Sequence, residues 1–260
     1  MSNPRILVLG TGGTIAGAGA QATGAAYRPG GLALNALIGD LAALGLGAAL
    51  EGREIARIGS QDMGFAEWQA LHAACSAAMD DPAVSGVIIT HGTDTAEETA
   101  FLLDLTLPTT KPVVLVGAMR PADAVGTDGM RNFANAVRVA SDSQAAGRGV
   151  MLVMGDAVLA ARDARKAATS SIDAFKSFPR GPLARVTPSS LDWFGPAHRT
   201  AEAARYAFPQ ALPRRRLRAC RWCARPASMK ASSIAMSRWM TTLWAWWRQE
   251  RSARPRRGCC

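Results

Sequence analysis

Residues 84–99 read VSGVIITHGTDTAEET, and this stretch decides the fold class. Val84–Thr90 is apolar and rich in β-branched residues, which is typical of a buried strand. The next four residues are polar and include a glycine, as in a loop. From Thr95 onward apolar residues recur every three or four positions, and Glu98 stands where a capping box with Thr95 requires an acid. The stretch therefore predicts a strand, a polar loop and a helix in direct succession.

The same succession of strand and helix recurs on both sides of this stretch. Further apolar runs lie at Ile6–Leu9, Glu54–Ile58, Pro112–Val116 and Val150–Met154. Between Phe65 and Met79 the larger apolar residues fall on one helical stripe, which predicts a core-facing helix. A third helix is predicted over Met130–Ala146, ending at Gly147. This alternation predicts an α/β fold whose open, mostly parallel sheet has helices on both faces.

A loop of glycine and small polar residues follows four of the predicted strands. These loops are Gly10–Thr14, Gly59–Asp62, His91–Thr95 and Gly117–Arg120. Ligands of open α/β sheets bind at the carboxyl ends of the strands, where these loops would meet. Hydroxyl groups and backbone amides suit a small polar ligand better than a flat macromolecular surface. The loops therefore predict a small-molecule site.

The charge of the chain is unevenly distributed. Of the 30 Lys and Arg residues, 13 follow Leu212 against one acid, so this end carries +12 and the preceding part −2, which together make the net +10. Four of the five Cys and five of the seven Trp residues also lie in this end. With Cys75 as its single cysteine, the body is not a disulfide-built secreted domain. Its charge also argues against nucleic acid or a membrane as partner of the body.

Motif spacing excludes several chemistries. The dinucleotide fingerprint requires glycine where Ile15 stands, and no phosphate-binding Gly-Lys-Ser/Thr, nucleophile elbow or His-Glu-x-x-His motif occurs. The arginines around Cys220, Cys223 and the terminal cysteine pair argue against a zinc site. What remains is hydroxyl chemistry, in which a desolvated lysine withdraws a threonine proton. Taken singly, however, Thr14 could be a turn residue and Lys166 a solvated charge.

The N-terminus and the hydropathy lead to a further expectation. The apolar run Ile6–Leu9 is too short for a signal-peptide core, and no uncharged apolar run reaches about 18 residues. We therefore predict a cytoplasmic protein without a membrane span.

Four motifs in a fixed order carry a resemblance to a known family. They are TGGTIAG at Thr11–Gly17, GSQDM at Gly59–Met63, IITHGTDT at Ile88–Thr95 followed by Glu97-Glu98-Thr99, and VGAMRP at Val116–Pro121. Together they resemble the bacterial L-asparaginase (asparaginase/glutaminase) family. The similarity runs from about Arg5 through Lys166 and reaches Pro213 at the latest. It covers the large N-terminal domain of that family.

The resemblance implies hydrolysis of L-asparagine, with L-glutamine as a further candidate substrate, through a covalent acyl-enzyme and without metal or cofactor. Thr14 matches the primary nucleophile, and Tyr27 matches the tyrosine of a mobile lid, here Gly17–Gly31. Thr93, Asp94 and Lys166 match a second catalytic trio, in which the lysine keeps the hydroxyl or a bound water basic.

The resemblance also assigns the substrate-binding residues. Ser60 and Gln61 match the residues that hold the α-carboxylate and α-amino group of the substrate. Asp94 matches the acid that binds the α-ammonium group, although by itself it could be only a helix N-cap. The backbone around Thr93 and Ala118 is where a developing oxyanion would be stabilised.

The family pattern stops near Pro213. We predict a catalytic domain over 1–190, a linker over 191–213 and a basic, disordered tail over 214–260 where the family has a second, smaller domain. In the family that domain builds the intimate dimers of a homotetramer and supplies an acid to the neighbouring subunit's ammonium site. We therefore do not expect this chain to assemble in the same way.

The tail leaves two interpretations open. Its abrupt rise in Arg, Trp and Cys is what an out-of-frame reading of a GC-rich gene produces, so a frameshift between Leu212 and Arg216 is one explanation. The alternative is an inactive asparaginase fragment whose genuine basic tail binds nucleic acid or an anionic membrane.

Overall fold

The computed structural model describes residues 5–19, 27–28, 30–42, 48–197 and 206–210. The strands are β1 Arg5–Gly12, β2 Ala18–Gly19, β3 Tyr27–Arg28, β4 Ala49–Ile58, β5 Val84–Thr90, β6 Val113–Val116, β7 Val150–Met154, β8 Ala157–Ala160, β9 Ala164–Lys166, β10 Phe175–Ser177, β11 Ala184–Val186 and β12 Leu191–Trp193. The helices are α1 Leu34–Ala42, α2 Phe65–Asp80, α3 Ala96–Thr106 and α4 Gly129–Ser141. The predicted tail over 214–260 lies outside the described residues.

An eight-stranded sheet in the order β12-β11-β8-β7-β6-β5-β1-β4 forms the centre of the fold. The pairs from β4 through β1, β5 and β6 to β7 are parallel, and the remaining pairs are antiparallel. The prediction of an open, mostly parallel α/β sheet is therefore confirmed. Since the parallel strands share one direction, the loops that follow β1, β5 and β6 leave the sheet at the same edge.

Helices cover both faces of the sheet. On one face Leu7 and Leu9 belong to a buried cluster with residues of α2 and α3, including Leu71 and Leu103. On the other face the alternate residues of β1 pack in a cluster with residues of α1 and α4, including Phe133. Both faces of the central strands are buried, which explains why their sequences are continuously apolar rather than alternating.

The predicted stripe on α2 is largely core. Trp68, Leu71, Cys75 and Met79 are buried, whereas Phe65 and His72 are partly exposed. Phe208 covers these two residues, with ring-centroid distances of 5.7 Å to Phe65 and 4.5 Å to His72. The stripe is therefore completed by a residue far away in the sequence.

The largest differences from the predicted element bounds are at the start of β4 and at the end of α4. Strand β4 begins at Ala49 rather than at Glu54. Helix α4 ends at Ser141 rather than at Ala146, because Asp142 adopts an extended conformation (φ −84°, ψ 127°). The Asp142 carboxylate then accepts the Gln144 N–H at 2.7 Å and caps a separate 3-10 turn over Ser143–Ala145. A short polar side chain that bonds its own backbone competes with helix continuation, and here it wins.

The predicted capping box at the start of α3 is wrong. Thr95 does stand at the N-cap position, but its hydroxyl donates to the carbonyl of Ser60 at 2.8 Å instead of capping the helix. The Oε2 atom of Glu98 is buried and has no hydrogen-bond partner among the described residues. The start of α3 is therefore tied to the loop after β4.

The base of the predicted lid is a short antiparallel hairpin. Ala18 pairs with Arg28, and Gly19 pairs with Tyr27. The middle of the lid lies outside the described residues, so its mobility stays a prediction. In the part of the chain that the structure describes, no helix has the length and apolar character needed to cross a membrane.

Candidate active site

The loops that were singled out in the sequence interlock through glycine. A Cβ atom on Gly13, which has a φ of 75°, would lie 2.3 Å from the backbone nitrogen of Gly92. A Cβ atom on Gly92 would lie 2.6 Å from the Ser60 Oγ atom. Only glycine permits both contacts, since real Cβ atoms do not approach other atoms so closely. The absence of side chains at these two positions brings the loops after β1, β4 and β5 together.

Thr93, Asp94 and Lys166 form a hydrogen-bonded group. The Lys166 Nζ atom lies 2.8 Å from Thr93 Oγ1 and 2.7 Å from Asp94 Oδ1. Thr93 is buried, and 17% of the Lys166 side chain is exposed against 60% of the Asp94 side chain. The predicted trio therefore has an enclosed hydroxyl and amine, with a carboxylate at the solvent side.

The strand that carries Lys166 belongs to a separate two-stranded hairpin. Strand β9 pairs only with β10 in the described structure, with Lys166 opposite Phe175. Just before β9, the carboxylate of Asp163 accepts two hydrogen bonds from Arg180, at 2.6 and 2.7 Å. The Asp163 side chain is 3% exposed, so this bidentate pair fixes the base of the hairpin.

The two predicted residues after β4 have different surroundings. Ser60 is buried, and its Oγ atom accepts the Asp94 N–H at 3.0 Å. Gln61 is exposed and donates to the carboxylate of Asp62 at 3.0 Å. Ser60 thus holds the loop that carries Asp94, while the Gln61 side chain faces solvent.

Thr14 lies on the adjoining loop after β1. It is buried in a 3-10 turn, and the Gly17 N–H donates to its carbonyl at 2.8 Å. The Gly17 carbonyl in turn accepts the Ala122 N–H at 3.1 Å, which joins the first loop to the loop after β6. The backbone of Tyr27 lies in β3, whereas its side chain is outside the described residues. The structure therefore brings the trio into direct contact and places Thr14 on a loop that packs against it.

The loop around Ala118 is held by two residues that sequence reasoning missed. The Asp128 carboxylate accepts the N–H groups of Met119 and Arg120 at 3.0 to 3.1 Å. The fully buried Asn132 donates to the Gly117 carbonyl at 2.9 Å. Two backbone donors after Ala118 are therefore bonded to Asp128, and the oxyanion contact around Thr93 and Ala118 stays a prediction. No short-range pattern in the sequence marks Asp128 or Asn132 for this task.

His91 is part of a buried relay of hydrogen bonds rather than a catalytic base. Trp68 Nε1 can only donate and does so to Thr99 Oγ1 at 2.9 Å. The Thr99 hydroxyl then donates to His91 Nε2 at 3.0 Å, and His91 Nδ1–H donates to the Gly92 carbonyl at 2.7 Å. Burial lowers the pKa of His91 to about 4, although its bond to Gly92 opposes this shift. A neutral ring with both nitrogens engaged therefore supports the backbone next to Thr93.

Two further groups, the buried Cys75 and the half-buried Glu98, have strongly shifted pKa values. Burial raises the pKa of the Cys75 thiol to about 12, so this cysteine is not a nucleophile at neutral pH. Burial also raises the pKa of Glu98 to about 7, and the neighbouring charge of Glu97 adds to this rise. Among the described residues, no three His, Cys, Asp or Glu side chains are placed to hold a metal ion.

The shifted pKa values of His91 and Glu98 lead us to expect opposite effects of pH on the free energy of unfolding. The pKa of His91 is about 4 in the folded protein, below its ordinary 6.5. The stability that the neutral ring contributes is therefore lost as the pH falls from 6.5 to about 4. The pKa of Glu98 is about 7 in the folded protein, above its ordinary 4.5. The stability that the protonated carboxyl contributes is therefore lost as the pH rises from 4.5 to about 7. Each shift corresponds to about 3 kcal/mol.

We expect Glu98→Gln to stabilise the protein increasingly as the pH rises, because the variant has no carboxylate to ionise. The gain in unfolding free energy over wild type should grow from near zero at pH 4.5 to about 3 kcal/mol at pH 8. Urea unfolding across this pH range measures it, with Glu54→Gln on the exposed β4 edge as control. A constant difference at all pH values would contradict the assigned pKa of Glu98.

A comparison with known families agrees with this geometry. The family model described as "Asparaginase, N-terminal" matches residues 5–199. The chain belongs to the asparaginase family. It is 45% identical over 190 residues to the probable periplasmic L-asparaginase of Haemophilus influenzae and 43% identical over 190 residues to L-asparaginase 2 of Escherichia coli. Each alignment covers 73% of this chain and 54% of the relative, so the chain spans about half the length of these asparaginases.

A solved structure shares the fold as well. The probable cytoplasmic L-asparaginase of Campylobacter jejuni superposes with a TM-score of 0.71 at 37% identity, covering 74% of this chain and 59% of that protein. One relative is named periplasmic and this one cytoplasmic. A cytoplasmic location for this asparaginase-family protein therefore stays a prediction.

Proposed function

We propose that this chain provides the catalytic part of an L-asparaginase, which hydrolyses L-asparagine to L-aspartate and ammonia through a threonine acyl-enzyme. The observation that supports this most is the contact of Lys166 Nζ with both Thr93 Oγ1 and Asp94 Oδ1, at 2.8 and 2.7 Å. The family membership and the names of the relatives agree with this reaction.

The enclosed lysine gives the trio its chemical capacity. A neutral amine within hydrogen-bond distance of a hydroxyl can accept its proton, either directly or from a water molecule that the hydroxyl holds. Asp94 lies next to the amine and stabilises the ammonium ion that results. Thr93, Lys166 and Asp94 thus form a unit that can generate a nucleophilic oxygen.

We assign formation of the ester to the loop that carries Thr14 and its hydrolysis to the loop that carries Thr93. The Thr14 hydroxyl attacks the side-chain amide carbon of asparagine, and its proton passes to the amide nitrogen. The C–N bond then breaks, so that ammonia departs and an aspartyl ester remains on Thr14. A water molecule that gives its proton to the Thr93–Lys166 unit then attacks this ester, and the proton returns to the Thr14 oxygen as L-aspartate leaves. Negative charge on the substrate oxygen would be met by the peptide groups near Thr93 and Ala118.

Substrate recognition is assigned to Asp94 and to the two residues after β4. The exposed carboxylate of Asp94 suits an α-ammonium group, and the buried Ser60 and the exposed Gln61 are assigned to the α-carboxylate and α-amino group. The same groups would accept L-glutamine, and two relatives from Pseudomonas species are named glutaminase-asparaginase. Ammonia release from both amides measures this preference.

The proposed reaction is best tested in a protein of the relatives' length. In a hybrid protein, residues 1–199 of this chain are followed by the part of E. coli L-asparaginase 2 that lies beyond the matched region. We expect the hybrid to release one ammonia per asparagine consumed. A folded hybrid that binds L-aspartate but releases no ammonia would contradict the proposed function.

Asp94→Asn in the hybrid is expected to weaken L-aspartate binding by roughly 10- to 150-fold, because it removes a charge-assisted hydrogen bond to the α-ammonium group. Isothermal titration measures the dissociation constant, and Asp192→Asn on the exposed β12 edge strand serves as control. Equal affinity in wild type and Asp94→Asn would contradict a role of Asp94 in binding the ammonium group.

A further inference from the structure

Lys166 is held at two points by the start of one helix. Its amine contacts Thr93 and Asp94 in the turn just before α3, at 2.8 and 2.7 Å. Its backbone N–H donates to the carboxylate of Glu97, in the first turn of α3, at 2.5 Å. The start of α3 therefore holds both the backbone of Lys166 and its side-chain amine.

We propose that Glu97 is a positioning residue that sets the distance from the Lys166 amine to Thr93. The proposal rests on the proposed function, since it assigns Glu97 a part in the chemistry of the same trio. Glu97 contacts the backbone of Lys166 and acts on the reaction only through this lysine.

The hairpin packs into the core through Ala164, Ala174 and Phe175, whereas Lys166 at the end of β9 is only partly buried and is tied to α3 through Glu97. Strand β9 has three residues and β10 has three, and two such strands on their own are only marginally stable. The lysine side chain has several rotatable bonds, so a shift of its backbone leaves many positions open to its amine. The Lys166 N–H donates to the Glu97 carboxylate, and a charge-assisted hydrogen bond of this kind is stronger than one between neutral groups.

The position of Glu97 within α3 adds to this tie. The N-terminus of a helix favours a negative charge, so the first turn of α3 is a stabilising place for the Glu97 carboxylate. The Asp163–Arg180 pair fixes only the base of the hairpin, before β9 begins. Glu97, by contrast, accepts a hydrogen bond from the backbone N–H of Lys166 itself.

The accessibility of the Lys166 amine tests the proposal without any need for turnover. The 260-residue chain is treated with acetic anhydride, and the acetylation rate of each lysine is read by peptide mass spectrometry. In wild type Lys166 should react slowly, since its side chain is 17% exposed, and Lys176, at 55% exposed, should react fast. We expect Glu97→Ala to raise the Lys166 rate by roughly tenfold or more and Glu97→Gln, which keeps an acceptor oxygen, to restore most of the protection.

Two controls separate positioning from general loosening. Glu67→Ala removes the same kind of contact at α2, where the Glu67 carboxylate accepts the Gly64 N–H at 3.0 Å, and should leave Lys166 unchanged. Lys111, whose amine donates to the Ala78 and Asp81 carbonyls at 2.9 and 2.5 Å, should stay protected in every variant. Equal Lys166 rates in wild type and Glu97→Ala would overturn the proposal, and so would a rise shared with Lys111 or with Glu67→Ala.

Turnover in the hybrid provides a second readout. There Glu97→Ala should lower kcat more than it raises KM, because the proton-accepting amine is displaced while the substrate-binding groups remain, and Glu97→Gln should recover kcat. Unchanged kcat in Glu97→Ala would overturn the proposal even where labelling changes. A hybrid without ammonia release would instead count against the proposed function, and the labelling result would still decide whether Glu97 positions Lys166.

Discussion

Replacing Thr93 by valine in the hybrid is expected to lower kcat for L-asparagine by at least about 10³-fold, because hydrolysis of the aspartyl ester then limits turnover. Valine keeps the shape of the buried side chain but has no oxygen for Lys166, whose amine lies 2.8 Å from the Thr93 hydroxyl. Because little buried area changes, the fold should remain. Thr14→Ala should have an effect of similar size, since it removes the proposed nucleophile.

Thr106→Val is the matched control for these two variants. Thr106 is as buried as Thr93 and stands at the far end of α3, where its hydroxyl donates to the Leu102 carbonyl at 2.8 Å. This variant should keep wild-type turnover, apart from a small loss of stability. Ammonia release by each purified variant measures the effect. Turnover near the wild-type rate in a folded Thr93→Val or Thr14→Ala protein would contradict the assigned chemistry.

The 260-residue chain assayed alone is expected to show little or no ammonia release compared with the hybrid. The resemblance implies that an acid from a neighbouring subunit's second domain completes the ammonium site. A site without this carboxylate loses charge-assisted hydrogen bonds worth about 1.5–3 kcal/mol, which is roughly a 10- to 150-fold loss of affinity. The exposed carboxylate of Asp94 would then hold the substrate ammonium largely in water.

The same chain is also expected to aggregate more readily than the hybrid. Val125, Ile172, Phe178 and Phe194 are large apolar residues that are exposed, at 72%, 49%, 78% and 62%. Apolar surface that no partner covers promotes association. Light scattering and ammonia release, measured side by side per mole of chain, test both expectations. Comparable activity and solubility in the two proteins would show that the appended part is dispensable.

The central parallel strands could be predicted because burial on both faces leaves an unmistakable apolar run. Strands β5 and β7 have the predicted bounds, and the helix stripe from Trp68 to Met79 is largely core. The short strands β8 to β12 could not be predicted, because three or four residues are too few to show a period. Helix α1 lies in an Ala- and Leu-rich segment without a clear cap and was missed for a similar reason.

Residues of the candidate site could be predicted from the sequence only where they stand in a recognisable motif. Thr93 and Asp94 stand in one motif with the β5 strand end, and the family resemblance added Lys166, which the fold brings into contact with them from 72 and 73 positions away. Glu97, Asp128 and Asn132 act through backbone contacts that depend on the tertiary fold, and such contacts have no local signature. The capping box failed for the same reason, since Thr95 found a tertiary partner in Ser60.

Mass spectrometry of the acid-quenched hybrid during turnover of L-asparagine can detect the covalent intermediate itself. We expect an aspartyl ester on the peptide that contains Thr14, which decays as L-aspartate forms and is absent from Thr14→Ala. Slower decay in Thr93→Val would place Thr93 in the second step, because its unit with Lys166 activates the water. An aspartyl ester on another residue, or turnover by Thr14→Ala at the wild-type rate, would contradict Thr14 as the nucleophile.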